Sequence, residues 1–349
     1  MTLALALLLS TSLQAQESSF TVRKVGQLFD KAKNAPILGQ DGAYSIPLES
    51  GALWTFGDTL VGETLPEGKD KLWGMPSSAY GLLKATSAAS LEGKLEYFRD
   101  DKGWPRPLIA HEPGELESVR RLWPQHGVRV GAKVYVYYTL IQAYGTGMWH
   151  FASVGQGLAV SEGPAGPYRR LRRGESTVFW SDVEPAYGGA VLEDGGWLYL
   201  YGRGFTGPGA YAQFLARVRP DAIEDLGAYR YFAGGEAWKA LPSEAALLFQ
   251  DGVTELSVSW NDHLKKYLMI YSALQTVLMR TAPKPWGPWS APSTVLECED
   301  LAKDEFCYAA KEHPELAEEG GRRVVFTLVK SKSYVPEFHE LRFDKGERK

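Results

Sequence analysis

The chain has 349 residues, of which 44% are hydrophobic and 23% are charged, values that are ordinary for a globular protein. A chain of this length buries a large core without help from metals or disulfides. Its net charge of −4 excludes the strongly basic surface that nucleic-acid binding needs, so we expect no nucleic-acid partner.

The first residues resemble a secretory signal. A short apolar run, Leu3 to Leu9, ends before polar residues that begin at Gln14, although no Lys or Arg precedes the run. The alternative is an apolar strand or helix of the mature fold. We expect residues 1–16 to be a signal peptide and the protein to be secreted or periplasmic. No membrane span is expected, because no segment reaches the roughly eighteen consecutive apolar residues that a spanning helix requires.

Residues 17–349 are predicted to be a single domain, because one pattern recurs along them. A short strand, a turn with Gly, Asn or Asp, and an aromatic-rich strand appear together, and the copies begin near residues 41, 123, 187, 255 and 308. Alternating aromatic and β-branched residues are typical of half-buried strands, and the turn residues tolerate positive φ. A third strand and a Gly-Pro-aromatic turn follow some copies, as at Gly287-Pro288-Trp289.

These spacings suit blades of four antiparallel strands. The sequence therefore predicts an all-β fold, a five-bladed β-propeller, in which radial closure hides most sheet edges. The segment Phe20 to Val25 is predicted to add a strand to the last blade. The alternative fold is a β-sandwich or jelly roll of two sheets.

The chain has two cysteines, Cys298 and Cys307. In an exported chain two nearby cysteines are expected to pair, and the alternative is two free buried thiols. No Cys or His partners surround them at metal-ligand spacing. We expect no cofactor and no metal, and nothing indicates a structural calcium ion.

Carboxylates at the starts of the first strands are the catalytic candidates. In a propeller these strands line the central channel, so their polar ends converge, and glycoside hydrolysis needs two carboxylates facing one anomeric carbon. Asp41 is the expected general base or nucleophile, and Glu184 or Glu255 the general acid, kept protonated by burial or crowding. Asp58 is expected to tune Asp41 or bind a sugar hydroxyl. Each also has a plainer interpretation as a turn or loop carboxylate.

Six further residues are candidates for substrate contacts. A lone His is more often structural, an Arg can pair with a carboxylate, and a Trp or Tyr ring can stack on a sugar or fill the core. No nucleotide-binding loop, serine elbow or zinc helix motif is present, which leaves carboxylate chemistry or binding. The six candidates are His126, Tyr187, Arg203, Trp260, Arg280 and His313.

Several segments resemble a bacterial domain family long of unknown function, with members that act as endo-D-arabinanases, and the five-bladed furanosidase propellers more broadly. The resemblance covers about residues 20 to 343, and its most specific piece is Trp54-Thr55-Phe56-Gly57-Asp58-Thr59. The segments that carry it are 41–48, 53–59, 123–127, 255–261, 287–289 and 313–316.

The resemblance implies a propeller with its active site at the channel mouth and acid–base glycosidase chemistry, with Asp41 and Asp58 as the first-blade acidic pair. It does not identify the sugar, because a family shares a scaffold more firmly than a substrate. We expect an exported hydrolase of a furanoside-containing or related glycan. The alternatives are a propeller that binds glycans without catalysis, and a lyase or phosphorylase on the same fold.

Overall fold

Residues 19–84, 94–145, 147, 149–251, 253–273, 275–299 and 301–345 are described by a computed structural model. The predicted signal peptide, residues 1–16, lies outside the described residues. Strands dominate, which confirms the all-β prediction. Helices in the described ranges are confined to short 3-10 turns, at Pro220–Ala222, Leu226–Ala228, Pro242–Glu244, Pro314–Leu316 and Glu319–Gly321.

The first part of the chain forms one strand that joins the end of the chain, a small sheet of three strands, and the four strands of sheet 1. The small sheet is β2, β5 and β6, and sheet 1 is β3, β4, β7 and β8. The strands are β1 (Phe20–Gln27), β2 (Ile37–Gln40), β3 (Tyr44–Pro47), β4 (Ala52–Phe56), β5 (Thr59–Thr64), β6 (Asp70–Gly74), β7 (Ala79–Leu83) and β8 (Glu96–Tyr97).

The middle of the chain forms sheets 2 and 3, in which consecutive long strands pair antiparallel. Sheet 2 is β9 (Arg120–Val130), β10 (Lys133–Ala143), β11 (Phe151–Ser161), β12 (Arg169–Arg170) and β13 (Trp180–Ser181). Sheet 3 is β14 (Ala186–Asp194), β15 (Trp197–Gly207), β16 (Ala210–Val218), β17 (Arg230–Phe232), β18 (Trp238–Lys239) and β19 (Phe249–Gln250).

The last part of the chain forms sheets 4 and 5. Sheet 4 is β20 (Val253–Asn261), β21 (Lys266–Ala273), β22 (Thr276–Ala282) and β23 (Ser293–Glu297). Sheet 5 is β24 (Cys307–Glu312), β25 (Arg323–Lys330) and β26 (Pro336–Phe343), completed by β1. The first strands of sheets 2 to 5 begin within a few residues of the predicted repeat starts.

The N-terminal strand pairs with the C-terminal one, as the sequence predicted. β1 runs antiparallel to β26, with Phe20 opposite Phe343 and Gln27 opposite Glu337. The rings of Phe20 and Phe343 lie edge to face with centroids 6.2 Å apart. Both ends of the chain therefore contribute to the same sheet.

The apolar core lies between consecutive sheets, and sheet 1 also shares a core with sheet 5. Trp54 and Phe56 of sheet 1 pack in one cluster with Val325 and Phe338 of sheet 5. Because most sheets are covered on both faces, their inner strands are apolar throughout rather than strictly alternating. In β10, for example, every residue from Val134 to Tyr138 is buried.

The first strands of sheets 2 to 5 each carry an irregularity in their pairing. In β9 it falls at Gln125-His126, in β14 at Gly188-Gly189, in β20 just before Leu256 and in β24 at Ala309-Ala310. A bulge bends a strand locally and re-aims its side chains, and bulges are common beside active sites. In sheets 2 to 5 the side chains of the first strand therefore depart from regular alternation at a similar position.

Cys298 and Cys307 form a disulfide, which confirms the predicted pairing. It ties the segment after β23 to the first residue of β24. The closed loop is short, so we expect the bond to stabilise the fold by about 2–3 kcal/mol at most.

Candidate active site

Asp41 lies in the tight turn that leads into β3. Its backbone carbonyl accepts from the N–H of Gly57 at 3.1 Å, and positive φ values at Gly42 and Ala43 bend the chain back. The carboxylate accepts a hydrogen bond from the hydroxyl of Tyr308 at 3.0 Å and another from Tyr334. A β-carbon added to Gly57 would lie 2.3 Å from Asp41 Oδ1. The turn, two tyrosines and a glycine thus fix this side chain.

The surroundings of Asp41 favour its protonated form. Burial is the main cause, and the nearby carboxylates of Asp58 and Glu255 add to it, while the hydrogen bonds from Tyr334 and Tyr308 act in the opposite direction. Together they raise the pKa of Asp41 to about 7. The group can therefore gain or lose a proton near neutral pH, as an acid–base catalyst must.

Asp58 is held by side chains of sheet 2. Its Oδ1 accepts from Nε of Arg121 and from the indole N–H of Trp123, both at 2.8 Å. Burial raises the pKa of Asp58 even though the guanidinium of Arg121 acts to lower it. The charge of Asp58 in turn raises the pKa of Asp41, and the predicted tuning role of Asp58 stays a prediction.

Glu255 and Asp41 are brought together by two consecutive residues of β24. The Tyr308 hydroxyl donates to Asp41, and the Ala309 backbone N–H donates to Oε2 of Glu255 at 3.1 Å. Ala309 has a φ of 58°, a left-handed conformation that is rare for alanine, and it sits in the β24 bulge. The bulge turns its N–H toward sheet 4 and so connects carboxylates from two different sheets.

A buried lysine lies beside these carboxylates. Lys311 is 1% exposed, and its ammonium stands 3.9 Å from the centre of the Tyr44 ring, with no hydrogen-bond partner among the described residues. Burial lowers the pKa of Lys311 to about 8, although the charges of Glu255 and Asp41 act to raise it. An ammonium in this position partly offsets the negative charge of the site.

A cavity of about 390 Å³ opens between sheets 2, 3 and 4, and Glu184 and Glu255 both line it. Glu184 accepts hydrogen bonds from the backbone N–H of Ser181 at 2.8 Å and from its hydroxyl at 3.0 Å. Arg203 lines the same cavity and stacks over the ring of Tyr211, 4.4 Å from its centre. These three predicted residues thus share one cavity, and Trp123 connects its wall to Asp58.

Both predicted histidines have structural partners. His313 is fully buried, and its ring nitrogens contact the hydroxyls of Ser45 and Thr327. His126 contacts the Ser45 carbonyl through Nε2 and the Val191 N–H through Nδ1. Burial lowers the pKa of both rings, to about 4 for His126. These contacts argue against direct substrate binding and instead link neighbouring sheets.

Tyr187 and Arg280 are also used inside the protein. Tyr187 is fully buried and packs against Trp180 and Tyr231, with ring centroids 5.3 Å away in each case. The guanidinium of Arg280 donates to Asp251 at 3.0 Å and to the carbonyl of Ser290 at 2.6 Å. Neither side chain is placed to contact a substrate, contrary to the sequence prediction.

Trp260 lies at the wrong end of its strand. It is 44% exposed, and its indole N–H donates to Asp262 in the turn that follows β20. It is five positions along the strand from Glu255, so at about 3.3 Å per residue it stands on the order of 16 Å away. Its predicted role in substrate binding is therefore not supported.

Four residues of the candidate site were not predicted from the sequence. Tyr308 and Lys311 stand at the start of the last repeat, where an aromatic hydroxyl and a lysine interrupt an apolar strand. Arg121 precedes the repeat motif at Trp123, and Tyr334 lies in the turn before β26. Only the lysine within a buried strand was a signal that sequence reasoning could have used.

The family of the chain follows from its sequence. Residues 36–338 match the family described as "Domain of unknown function (DUF4185)", and the chain belongs to that family. A comparison with curated protein sequences finds no match.

Solved structures share this fold at low identity. A Bacteroides ovatus protein provisionally called a hydrolase is 16% identical with a TM-score of 0.65, over 91% of this chain and 87% of that one. A family 117 glycoside hydrolase from Zobellia galactanivorans is 12% identical with a TM-score of 0.52, over 93% and 89%. The catalytic domain of the Coprinopsis cinerea GH62 α-L-arabinofuranosidase is 12% identical with a TM-score of 0.51, over 93% and 96%. At these identities the similarity shows a shared fold.

Two further properties concern the described residues alone. None of their helices has the length and apolar character needed to cross a membrane. Among the same residues, no three His, Cys, Asp or Glu side chains are grouped so that they could hold a metal ion.

Proposed function

We propose that the protein is an exported glycoside hydrolase that acts on a furanoside-containing or related glycan. One observation carries the proposal. Tyr308 and Ala309, two consecutive residues, hold the carboxylates of Asp41 and Glu255 from different sheets, and the site raises the pKa of Asp41 to about 7. Paired carboxylates, one protonated near neutral pH, are what glycosidic bond hydrolysis requires.

In the proposed reaction, Asp41 transfers its proton to the glycosidic oxygen as the bond between that oxygen and the anomeric carbon breaks. Glu255 supplies the second carboxylate. Glu184 contacts the substrate at the cavity wall. Water provides the hydroxyl group that replaces the leaving oxygen, and the proton that it loses ends on a carboxylate of the site. This assigns Asp41 the role of acid, whereas the sequence suggested base or nucleophile, because the raised pKa suits a donor.

We further propose that sheets 1 to 5 are the blades of a five-bladed propeller, with the site at the mouth of its channel. Side-chain contacts between sheets 1 and 5 support this arrangement, since Ser45 contacts His313 at 2.7 Å and Lys311 lies over Tyr44. The shared core of Trp54 and Phe338 supports it as well. The small sheet lies outside this repeat.

The cavity and the structural similarities support a sugar substrate. A volume of about 390 Å³ falls within the roughly 300–1,000 Å³ of ligand pockets. A hydrolase of furanosides is among the proteins with this fold. Export rests on the apolar run in residues 1–16 and agrees with the disulfide, which forms in oxidising compartments.

The first experiment measures release of reducing sugar from arabinans, arabinogalactans and other cell-surface glycans. Wild type is compared with Asp41→Asn and Glu255→Gln, and with Asp221→Asn, which removes an exposed carboxylate outside the site. We expect at least one glycan to be cleaved, with a loss of 10²-fold or more in both site variants and none in Asp221→Asn.

Two results would contradict the proposal. Equal activity of Asp41→Asn and wild type would exclude Asp41 from the chemistry. Binding of a glycan without release of sugar from any substrate would instead indicate the non-catalytic binding propeller.

A further inference from the structure

A row of aromatic rings runs from the cavity to Asp41. Trp123 and Phe151 line the cavity with centroids 5.1 Å apart, and Trp149 lies 6.4 Å from Phe151. On its other side Trp149 lies 6.1 Å from Phe306, which lies 5.4 Å from Tyr308. We call these five residues the aromatic row.

Both ends of the aromatic row hydrogen-bond to a candidate catalytic carboxylate. The indole of Trp123 donates to Asp58, and the hydroxyl of Tyr308 donates to Asp41. Its members come from sheet 2 and from the start of sheet 5, whereas Asp41 and Asp58 flank strands of sheet 1. The row therefore joins the two sheets next to the one that presents the acidic pair.

The middle of the row is exposed, yet its backbone is held in place. Trp149 is 63% exposed, and its carbonyl accepts a hydrogen bond from the hydroxyl of Tyr144 at 3.2 Å. Phe306 is paired through its backbone N–H and carbonyl with Ser331, and the next residue, Cys307, is fixed by the disulfide. A ring presented on an ordered backbone binds with less loss of conformational freedom.

We propose that the exposed face of Trp149, continued by Phe306, is a sugar-stacking subsite and that the substrate is a glycan chain of several residues. The inference rests on the proposed function. Apolar ring faces beside polar hydrogen-bonding groups suit the amphipathic faces of sugars. Phe151 lines the cavity and Trp149 is the next ring of the row, so the row extends the binding surface past the cavity wall.

The location of the row favours a glycan over a protein partner. Protein-binding patches are broad and contiguous, whereas this row is one ring wide and ends at two half-buried carboxylates. Its exposed tryptophan packs against Phe151, which lines the cavity. A linear polymer threaded past the carboxylates would follow this shape.

The test uses native electrophoresis in gels that contain branched arabinan, arabinogalactan or galactan. Trp149→Ala is compared with wild type, with Trp149→Phe, which keeps a ring, and with Trp260→Ala, an exposed tryptophan at the other end of sheet 4. Asp41→Asn is added to each chain so that no glycan is cleaved during the run. We expect retardation to fall at least tenfold in Trp149→Ala, to be largely kept in Trp149→Phe, and to be unchanged in Trp260→Ala.

A second measurement compares KM and kcat on the polymer with those on 4-nitrophenyl arabinofuranoside, a one-sugar substrate. We expect Trp149→Ala to raise KM for the polymer at least tenfold and to leave turnover of the one-sugar substrate unchanged. Equal retardation and equal KM in Trp149→Ala and wild type would overturn the inference, and so would the absence of retardation in every gel.

The outcomes separate this inference from the proposed function. Loss of retardation in Trp149→Ala, when wild type cleaves no glycan, would support the subsite and contradict the hydrolase. If Trp149→Ala instead dissociated a self-associated wild type in sedimentation experiments without altering retardation, the ring would be a protein interface and the inference would be wrong.

Discussion

The Asp41 carboxylate lies directly against the backbone of Gly57. It fits there because residue 57 has no side chain. A β-carbon at residue 57 would lie 2.3 Å from Asp41 Oδ1, and the carboxylate would have to move away from Tyr308. We expect Gly57→Ala to lower kcat by at least about tenfold, because displacement of a catalytic group by about 1 Å has such effects. Sugar-release kinetics check this, with Gly163→Ala as the control, since nothing lies near that position. Full activity in Gly57→Ala would contradict it.

The pKa of Asp41 predicts how hydrolysis depends on pH. A proton donor with a pKa raised to about 7 is active below that pH and loses its proton above it. We expect kcat/KM to fall as pH rises through about 7. Because the charge of Asp58 raises the pKa of Asp41, Asp58→Asn should move this limb to lower pH. The measurement is the pH dependence of kcat/KM for wild type and Asp58→Asn. If kcat/KM falls over the same alkaline pH range in both proteins, the result would argue against Asp41 as the acid.

Lys311 predicts a separate effect of pH, on stability. Its pKa is lowered from 10.5 to about 8 in the folded protein, so the unfolded chain binds the proton more tightly. Stability therefore rises as pH increases from about 8 to above 10. We expect Lys311→Met to be more stable than wild type at pH 7, by about 1–3 kcal/mol, with the difference shrinking toward pH 10.

Urea unfolding at several pH values measures this difference, and the exposed Lys332→Met serves as control. A Lys311→Met protein that is less stable at pH 7 would show that the buried ammonium is a net stabilising group. If sugar release falls while stability rises, the lysine is retained for function.

At the level of single elements, the bulges in the first strands position the site. The bulge of β14 needs glycine, because Gly188 has a φ of +104° and a β-carbon there would lie 2.4 Å from Cβ of Tyr137. We expect Gly188→Ala to destabilise the fold by about 2–4 kcal/mol through backbone strain and overpacking.

A substitution at Gly195 distinguishes backbone strain from overpacking. It has a φ of +54° in the turn between β14 and β15, with nothing near its added β-carbon, so Gly195→Ala carries strain alone. We expect it to cost about 1–2 kcal/mol. Thermal or denaturant unfolding of both variants gives the comparison, and equal losses would show that the contact with Tyr137 is readily relaxed.

The elements themselves could be predicted from the sequence, because strand alternation and turn chemistry are local. The hairpin that ends in Trp197 to Tyr201 is one example, with Gly195-Gly196 at its turn. The bulges could not be predicted, since residues such as Ala309 have no propensity for a left-handed φ. Glu255 could be proposed from the sequence because it opens an inner strand, whereas Tyr308 could not, because its contact with Asp41 depends on the Ala309 bulge.

The predicted substrate contacts that have partners inside the protein, or that lie far from the cavity, share a common cause. Sequence alternation predicts which face of a strand a side chain lies on. It does not predict which residues of the neighbouring sheet pack against that side chain. His313 and Tyr187 are covered in this way. Trp260 is exposed, but distance along β20 removes it from the site.

For the whole molecule, pairing of β1 with β26 joins residues from opposite ends of the described chain. β1 covers the edge of β26, and Val22 and Phe20 pack against the core of sheets 4 and 5. We expect a chain that begins at residue 28 to lose about 2–4 kcal/mol of stability and to self-associate through the uncovered edge. Unfolding and sedimentation test this against a chain that begins at residue 19. A monomeric protein of unchanged stability would show that β1 is dispensable.

The same pairing constrains the order of events during biosynthesis. Phe20 is made before sheets 1 to 4, and its partner Phe343 is made after them. Sheets 2 to 4 are contiguous in the chain and can assemble while synthesis continues, whereas sheet 5 cannot be completed until β26 has been made. Throughout that interval the apolar side chains of β1 stay exposed. We therefore expect a holding chaperone to bind a nascent chain that is stalled after sheet 4.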